Sequence, residues 1–298
     1  MKLAGDLYLP EGSPPAGGWP ALVVGHGFSF IKEGLVGQGK FFAEAGYATL
    51  AIDYRSFGES EGEPRGELFP LNEVEDFRNS VSWLQEHGDV NAERVGIWGT
   101  SFGGAAVLWT AAVDRRVKAV VAQVPVVNGR AWMRSLRTND QWEDLLGRVE
   151  EDRRRRFRGE QGERISVTGL ARKDDVAAMP SDHNIVDFLM AAKDGMKTWS
   201  DSITLESVEK IIEFDPSSVI DQIGGRALRV ITVTGYDVIH PLDQILAAYD
   251  KAKEPKSLVL LPFHQMQMYL DEAALRTGLQ HAVEWFDEHL APEALGLA

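Results

Sequence analysis

The sequence predicts an α/β fold, a mostly parallel sheet flanked by helices. Short runs rich in Val, Ile and Ala recur along the chain, and amphipathic stretches alternate with them. At 298 residues the chain is long enough to bury a large core as one domain, or as one domain carrying an insertion.

In chain order, residues 20–27 ("PALVVGHG") and 47–54 ("YATLAIDY") read as buried strands, and 33–46 between them as a helix. Residues 70–88 read as a second helix, opened by Pro70 with acidic residues in the early turns and closed at Gly88. Residues 94–101 and 117–126 are the next strands, with a helix after the first. From Ala131 to Ser217 the chain turns polar and helix-leaning, without strand candidates. The α/β alternation resumes with strands at 228–237 and 256–263 and helices near 241–252 and 270–290. The expected organisation is therefore a core of 1–130 and 218–298 interrupted by a helical insertion at 131–217, placed after the strand at 117–126.

Bulk chemistry excludes several function classes. A formal charge of −14 repels nucleic-acid backbones and anionic lipid, so neither is an expected partner. The absence of cysteine removes disulfides, thiolate metal sites and a cysteine nucleophile together. The N-terminal stretch reaches Gly and Pro before any long apolar run, and no run is long enough to span a bilayer, so a cytoplasmic protein is expected. The basic run within 150–164 is flanked by acids and reads as a solvated helix face. The oligomeric state is not legible; a homodimer stays open.

The sharpest motif is "IWGTSFGG" (97–104). Gly99-Thr100-Ser101-Phe102-Gly103 fits G-x-S-x-G at a strand–helix junction. In that context the serine occupies a tight turn that lifts its hydroxyl above the sheet, and side chains at the flanking glycines would strike neighbouring backbone. An earlier strand ends in "GHGFSF" (25–30). His26 in that loop is expected to hold it together.

With "GHGFSFIKEG" (25–34), "AIDYRSFGESEGEPR" (51–65), "GIWGTSFGG" (96–104) and "GYDVIHP" (235–241), the chain resembles the α/β-hydrolase superfamily. Within it, the chain is similar to the cap-bearing bacterial esterase and acyl-hydrolase branch near the peptidase S15-like (prolyl-dipeptidyl-peptidase-like) proteins. The resemblance implies an α/β-hydrolase fold, and it makes the insertion a helical cap. It also implies an oxyanion hole from the backbone N–H groups of Phe28 and Phe102, and a catalytic triad whose acid follows the strand after the cap and whose base follows the last strand. Asp237 stands at the acid's position. Asp53, Arg55 and Gly58 match a structural turn of the superfamily.

The base position is irregular. Aligned on Pro262 and Tyr269, the superfamily histidine falls on Gln265, an amide that cannot take up a proton near neutral pH. His264, one residue early, is the expected base if the loop is shifted by one. His240, three residues after Asp237, is a competitor that could reach the mouth of the site, and His281 lies in a predicted helix.

The expected activity is that of a serine hydrolase cleaving an ester, thioester, amide or activated C–C bond through an acyl-enzyme on Ser101, with Asp237 and His264 completing the triad. Acyl transfer with the same parts is an alternative. So is a non-hydrolytic, disabled or engineered protein on this fold, binding or cyclase-like, because of Gln265. Phe30, Trp132, Trp142, Phe188, Trp199, Phe263, Gln265 and Met266 are candidate pocket residues, and they favour an apolar or aromatic acyl substrate. No cofactor is implied: there is no H-E-x-x-H pair, no metal site and no dinucleotide loop.

Overall fold

The computed structural model describes residues 1–168, 177–180 and 195–291. Seven strands form one sheet in the order β1-β3-β2-β4-β5-β8-β9. They are β1 (Gly5–Tyr8), β2 (Trp19–Gly25), β3 (Ala48–Ile52), β4 (Val90–Thr100), β5 (Ala119–Gln123), β8 (Ala227–Val233) and β9 (Lys256–Leu261). All neighbours are parallel except β1, which pairs antiparallel with β3. The sequence offered no sign of β1, a half-exposed edge strand with no apolar run.

The central strands are buried on both faces, and the period of two divides their side chains between two cores. Ala21, Val23, Val95, Ile97, Val120 and Ala122 join one core, while Leu22, Val24, Trp98, Ala119 and Val121 join the other. Helices α1 (Val36–Glu44), α2 (Pro70–Glu86) and α3 (Phe102–Val113) follow β2, β3 and β4. The expected helix at 33–46 is thus α1 preceded by a 3₁₀ turn, Lys32–Leu35.

Between β5 and β8 lie α4 (Gly129–Ser135), α5 (Asn139–Phe157), β6 (Arg164–Ser166), β7 (Ser202–Thr204) and α6 (Leu205–Glu213). The expectation of no strands here is corrected by β6 and β7, which pair antiparallel over three residues. That is too short to leave a pattern in sequence. α5 starts on a reciprocal capping box between Thr138 and Gln141. Its arginine run is absorbed by acids: Arg156 pairs with Asp152, Glu206 and Glu209. α7 (Leu242–Lys251), the short α8 (Gln267–Leu270) and α9 (Glu272–His289) complete the chain. No helix among the described residues is long and apolar enough to cross a membrane.

Candidate active site

Ser101 sits between the end of β4 and the start of α3 at φ 56°, ψ −117°. This is strained backbone for a residue with a side chain. Backbone bonds hold it: Ser101 N–H donates to the Gln123 carbonyl at 2.9 Å, and its own carbonyl accepts from Val126 N–H at 3.1 Å and Ala105 N–H at 3.3 Å. The glycines have the steric reason expected. A Cβ at Gly99 would strike the Gly103 carbonyl, and one at Gly103 would strike the His26 carbonyl. Close packing of α3 on β2 and β4 permits neither.

The 26–30 loop lies against the nucleophile: a Cβ on Gly27 would come within 3.2 Å of Ser101 Cβ. The rings of Phe28 and Phe102 meet edge to face at 5.7 Å, and Trp132 packs on both, at 5.3 and 5.8 Å. Trp132 Nε1–H also donates to the Ile239 carbonyl at 2.7 Å. One indole therefore ties together the loop of Phe28, the head of α3 and the loop after β8.

That last loop carries an acid and a base. Asp237 Oδ1 accepts from the backbone N–H groups of Ile239 (3.0 Å) and His240 (2.8 Å), which turns the chain back on itself. The turn brings His240 Nδ1 within 2.9 Å of Asp237 Oδ2 and places His240 Nε2 2.9 Å from Ser101 Oγ. Both side chains are 3% exposed. With Nδ1–H facing a carboxylate, Nε2 is left to accept from the serine hydroxyl.

His264 is elsewhere. It is exposed, and its backbone N–H and carbonyl bond to Gln267. The physical reason is register between two loops. Gly235 N–H donates to the Phe263 carbonyl at 2.9 Å and Gln265 N–H to the Tyr236 carbonyl at 3.1 Å, which turns 265 inward and 264 outward. Gln265, 3% exposed, accepts from Val238 N–H at 2.9 Å and Ile239 N–H at 3.2 Å through its Oε1. The residue at the superfamily's histidine position braces the loop that holds His240. The expected one-residue shift does not occur.

Tyr269 escaped the sequence reading as a site residue. Its hydroxyl lies 3.1 Å from Thr100 Oγ1 and within hydrogen-bonding reach of the Ser101 side chain, and burial raises its pKa. His26 is structural in geometry: Nδ1–H donates to the Gly27 carbonyl at 3.0 Å and the ring lies 4.4 Å from that of Tyr54. Burial pushes its pKa down to about 4, so the ring is neutral at pH 7. Asp53 and Arg55 do not pair with each other. Asp53 accepts from Lys32 and Glu59 N–H groups, whereas Arg55 binds Asp76.

A cavity of about 530 Å³ opens beside Ser101, lined by Phe30, Trp199, Gln265 and Met266 among the expected residues. Trp132 and Trp142 are instead core residues, and Phe263 packs against the second core. Phe188 lies outside the described residues. No three His, Asp or Glu side chains among the described residues converge as metal ligands would.

A family model, X-Pro dipeptidyl-peptidase (S15 family), matches residues 1–266. The chain belongs to this family. Its sheet and flanking helices are those of the α/β hydrolases. The crystal structure of alpha/beta hydrolase GrgF from Penicillium sp. sh18 superposes with a TM-score of 0.80, covering 98% of this chain and 100% of that one at 22% identity. By sequence, polyketide transferase grgF from Penicillium sp is 26% identical over 244 residues, 81% of this chain and 79% of that protein. "Uncharacterized 31.7 kDa protein in traX-finO intergenic region" of Escherichia coli is 28% identical over 295 residues, 95% of this chain and 94% of that one. Thiohydrolase aneE of Aspergillus aculeatus is 36% identical over 128 residues, 43% of this chain and 39% of that protein. The protein is accordingly an enzyme of the α/β-hydrolase kind, with hydrolytic or transferase activity.

Proposed function

We propose that the protein is a serine acyl hydrolase that opens an ester or thioester through an acyl-enzyme on Ser101, with His240 as base and Asp237 as its orienting acid. The observation that carries this reading is the position of His240, with Nε2 2.9 Å from Ser101 Oγ and Nδ1 2.9 Å from Asp237 Oδ2. Ser101 Oγ attacks the acyl carbonyl and gives its proton to His240 Nε2. The Asp237 carboxylate stabilises the imidazolium, and the amides of Phe28 and Phe102 hold the oxyanion. Collapse returns the proton to the departing alkoxide or thiolate. Water, deprotonated by the same imidazole, then releases the acid.

Residues 131–217 act as the cap over Ser101 in this reading, and the substrate is a small molecule with a largely apolar acyl group. The thiohydrolase similarity favours a thioester. The similarity to a polyketide transferase favours a second reading, in which an alcohol or amine replaces water in the last step and the first half is unchanged.

A fluorophosphonate probe and a panel of p-nitrophenyl esters and N-acetylcysteamine thioesters test the reading. Intact-mass analysis is expected to show one adduct on wild type and none on Ser101→Ala, with hydrolysis reduced about 10³-fold or more in that variant. An adduct that survives in Ser101→Ala, or its absence from wild type, overturns the reading.

A further inference from the structure

The cavity lining is of two kinds. Met179, Met196, Trp199, Ile239, Met266 and Leu275 supply apolar surface. The chain from Ser29 to Gln38 also lines it, and three side chains there carry polar atoms without a hydrogen-bond partner among the described residues. Among the described residues, Glu33 Oε2, out of contact with solvent, accepts no hydrogen bond, and Ser29 Oγ, on a residue 3% exposed, makes none either. The Gln38 amide, on a residue 7% exposed, likewise has no hydrogen-bond partner among the described residues. Glu33 and Gly37, like Gly34 and Gln38, are four residues apart, so these four share a face across the 3₁₀ turn and α1. All four line the cavity.

Lys32, the nearest cation in sequence, does not satisfy Glu33. Its ammonium group turns away, to Asp6 at 3.2 Å and Glu59 at 3.0 Å. A carboxylate oxygen hidden from water without a donor is costly, and such groups persist where something else supplies the donor. Gly37 adds a steric observation: a Cβ there would meet nothing within 4 Å. This part of the lining is both polar and unfilled.

We propose that Glu33, Ser29 and Gln38 form a recognition subsite for an acyl group that carries a hydrogen-bond donor, a hydroxyl or an amine, while the apolar lining takes its hydrocarbon. The assignment rests on the acyl-enzyme reading and adds to it a substrate class: hydroxylated or amino-substituted acyl chains, not plain ones and not diacids. A second carboxylate on the substrate would meet Glu33 as a like charge.

The test is the rate of Ser101 labelling by three matched series of linear alkyl fluorophosphonates, four to ten carbons long, ending in methyl, hydroxyl or amine. At the length that fits, the hydroxyl or amine probe is expected to label about tenfold faster than the methyl probe, the discrimination of one charge-assisted hydrogen bond. Glu33→Leu is expected to erase that ratio. Gly37→Leu, which places a side chain in open space on a helix, is expected to slow the longest probes relative to the shortest. Which of the two donors gains more identifies the substrate's group. Equal rates at every length, or a preference that survives Glu33→Leu, overturns the subsite while leaving the acyl-enzyme reading intact. No labelling by any probe overturns the acyl-enzyme reading, and the subsite falls with it.

Discussion

At Ser101 the chain is wound to φ 56°, and the residues that make this tolerable are glycines whose replacement would strike backbone. That much is legible in the letters, because a tight strand-to-helix turn demands small residues at fixed offsets. His26 shows a second effect at this scale. Its pKa is lowered from 6.5 to about 4 because a charged imidazole would be buried. Above pH 6.5 the ring is neutral folded and unfolded, and contributes nothing. Below it the unfolded chain takes up the proton and the folded one does not, so stability falls as pH drops from 6.5 to about 4, by about 3 kcal/mol in all. Urea unfolding at pH 7 and pH 4.5 measures this. Wild type should lose more stability over that interval than His26→Gln; equal losses would contradict the account.

At the scale of elements, the site is set by two loops, after β8 and after β9, zipped together by Gly235 N–H to the Phe263 carbonyl and Gln265 N–H to the Tyr236 carbonyl. Sequence reading sought the acid at Asp237 in the first loop and the base at His264 in the second; the structure brings His240 of the first loop, and not His264, to Ser101. Nothing local in "LLPFHQMQMY" says whether 264 or 265 faces inward; pairing with the other loop decides it. The missing signal was Asp-x-x-His, Asp237 to His240. The spacing is meaningful only because Asp237 also accepts two backbone N–H groups and bends the chain. Gln265→Leu should remove the acceptor for Val238 and Ile239 N–H, costing about 1–3 kcal/mol of stability and lowering kcat more than it raises KM. Gln265→His should not raise kcat above wild type, since it adds an imidazole while removing the brace under His240. Denaturation and steady-state kinetics on the two variants check both outcomes.

Over the whole molecule, the parallel sheet was legible because strands buried on both faces must be continuously apolar. β1 and the β6–β7 pair were not, since a half-exposed edge strand and a three-residue ladder leave no such run. Between β5 and β8 lies a buried ion that composition could not single out. The Arg137 guanidinium, 7% exposed, donates to the carbonyls of Met133 (2.7 Å), Ala177 (2.6 Å) and Ala178 (2.7 Å). It thus fixes the stretch bearing Met179, a cavity residue, to α4. Arg137→Met leaves these carbonyls without a donor and should cost about 3 kcal/mol or more. KM for long acyl substrates should rise more than for an acetyl ester, and an equal rise for both would argue against this anchoring.

The central claim is that the base of this site is His240, carried in the same loop as its acid. Its most direct measurement compares the rate of Ser101 phosphonylation in wild type, His240→Gln and His264→Gln at one pH. The account predicts a loss of about 10³-fold or more in His240→Gln and a rate within about twofold of wild type in His264→Gln. The reverse pattern, with His264→Gln inert and His240→Gln active, would contradict it.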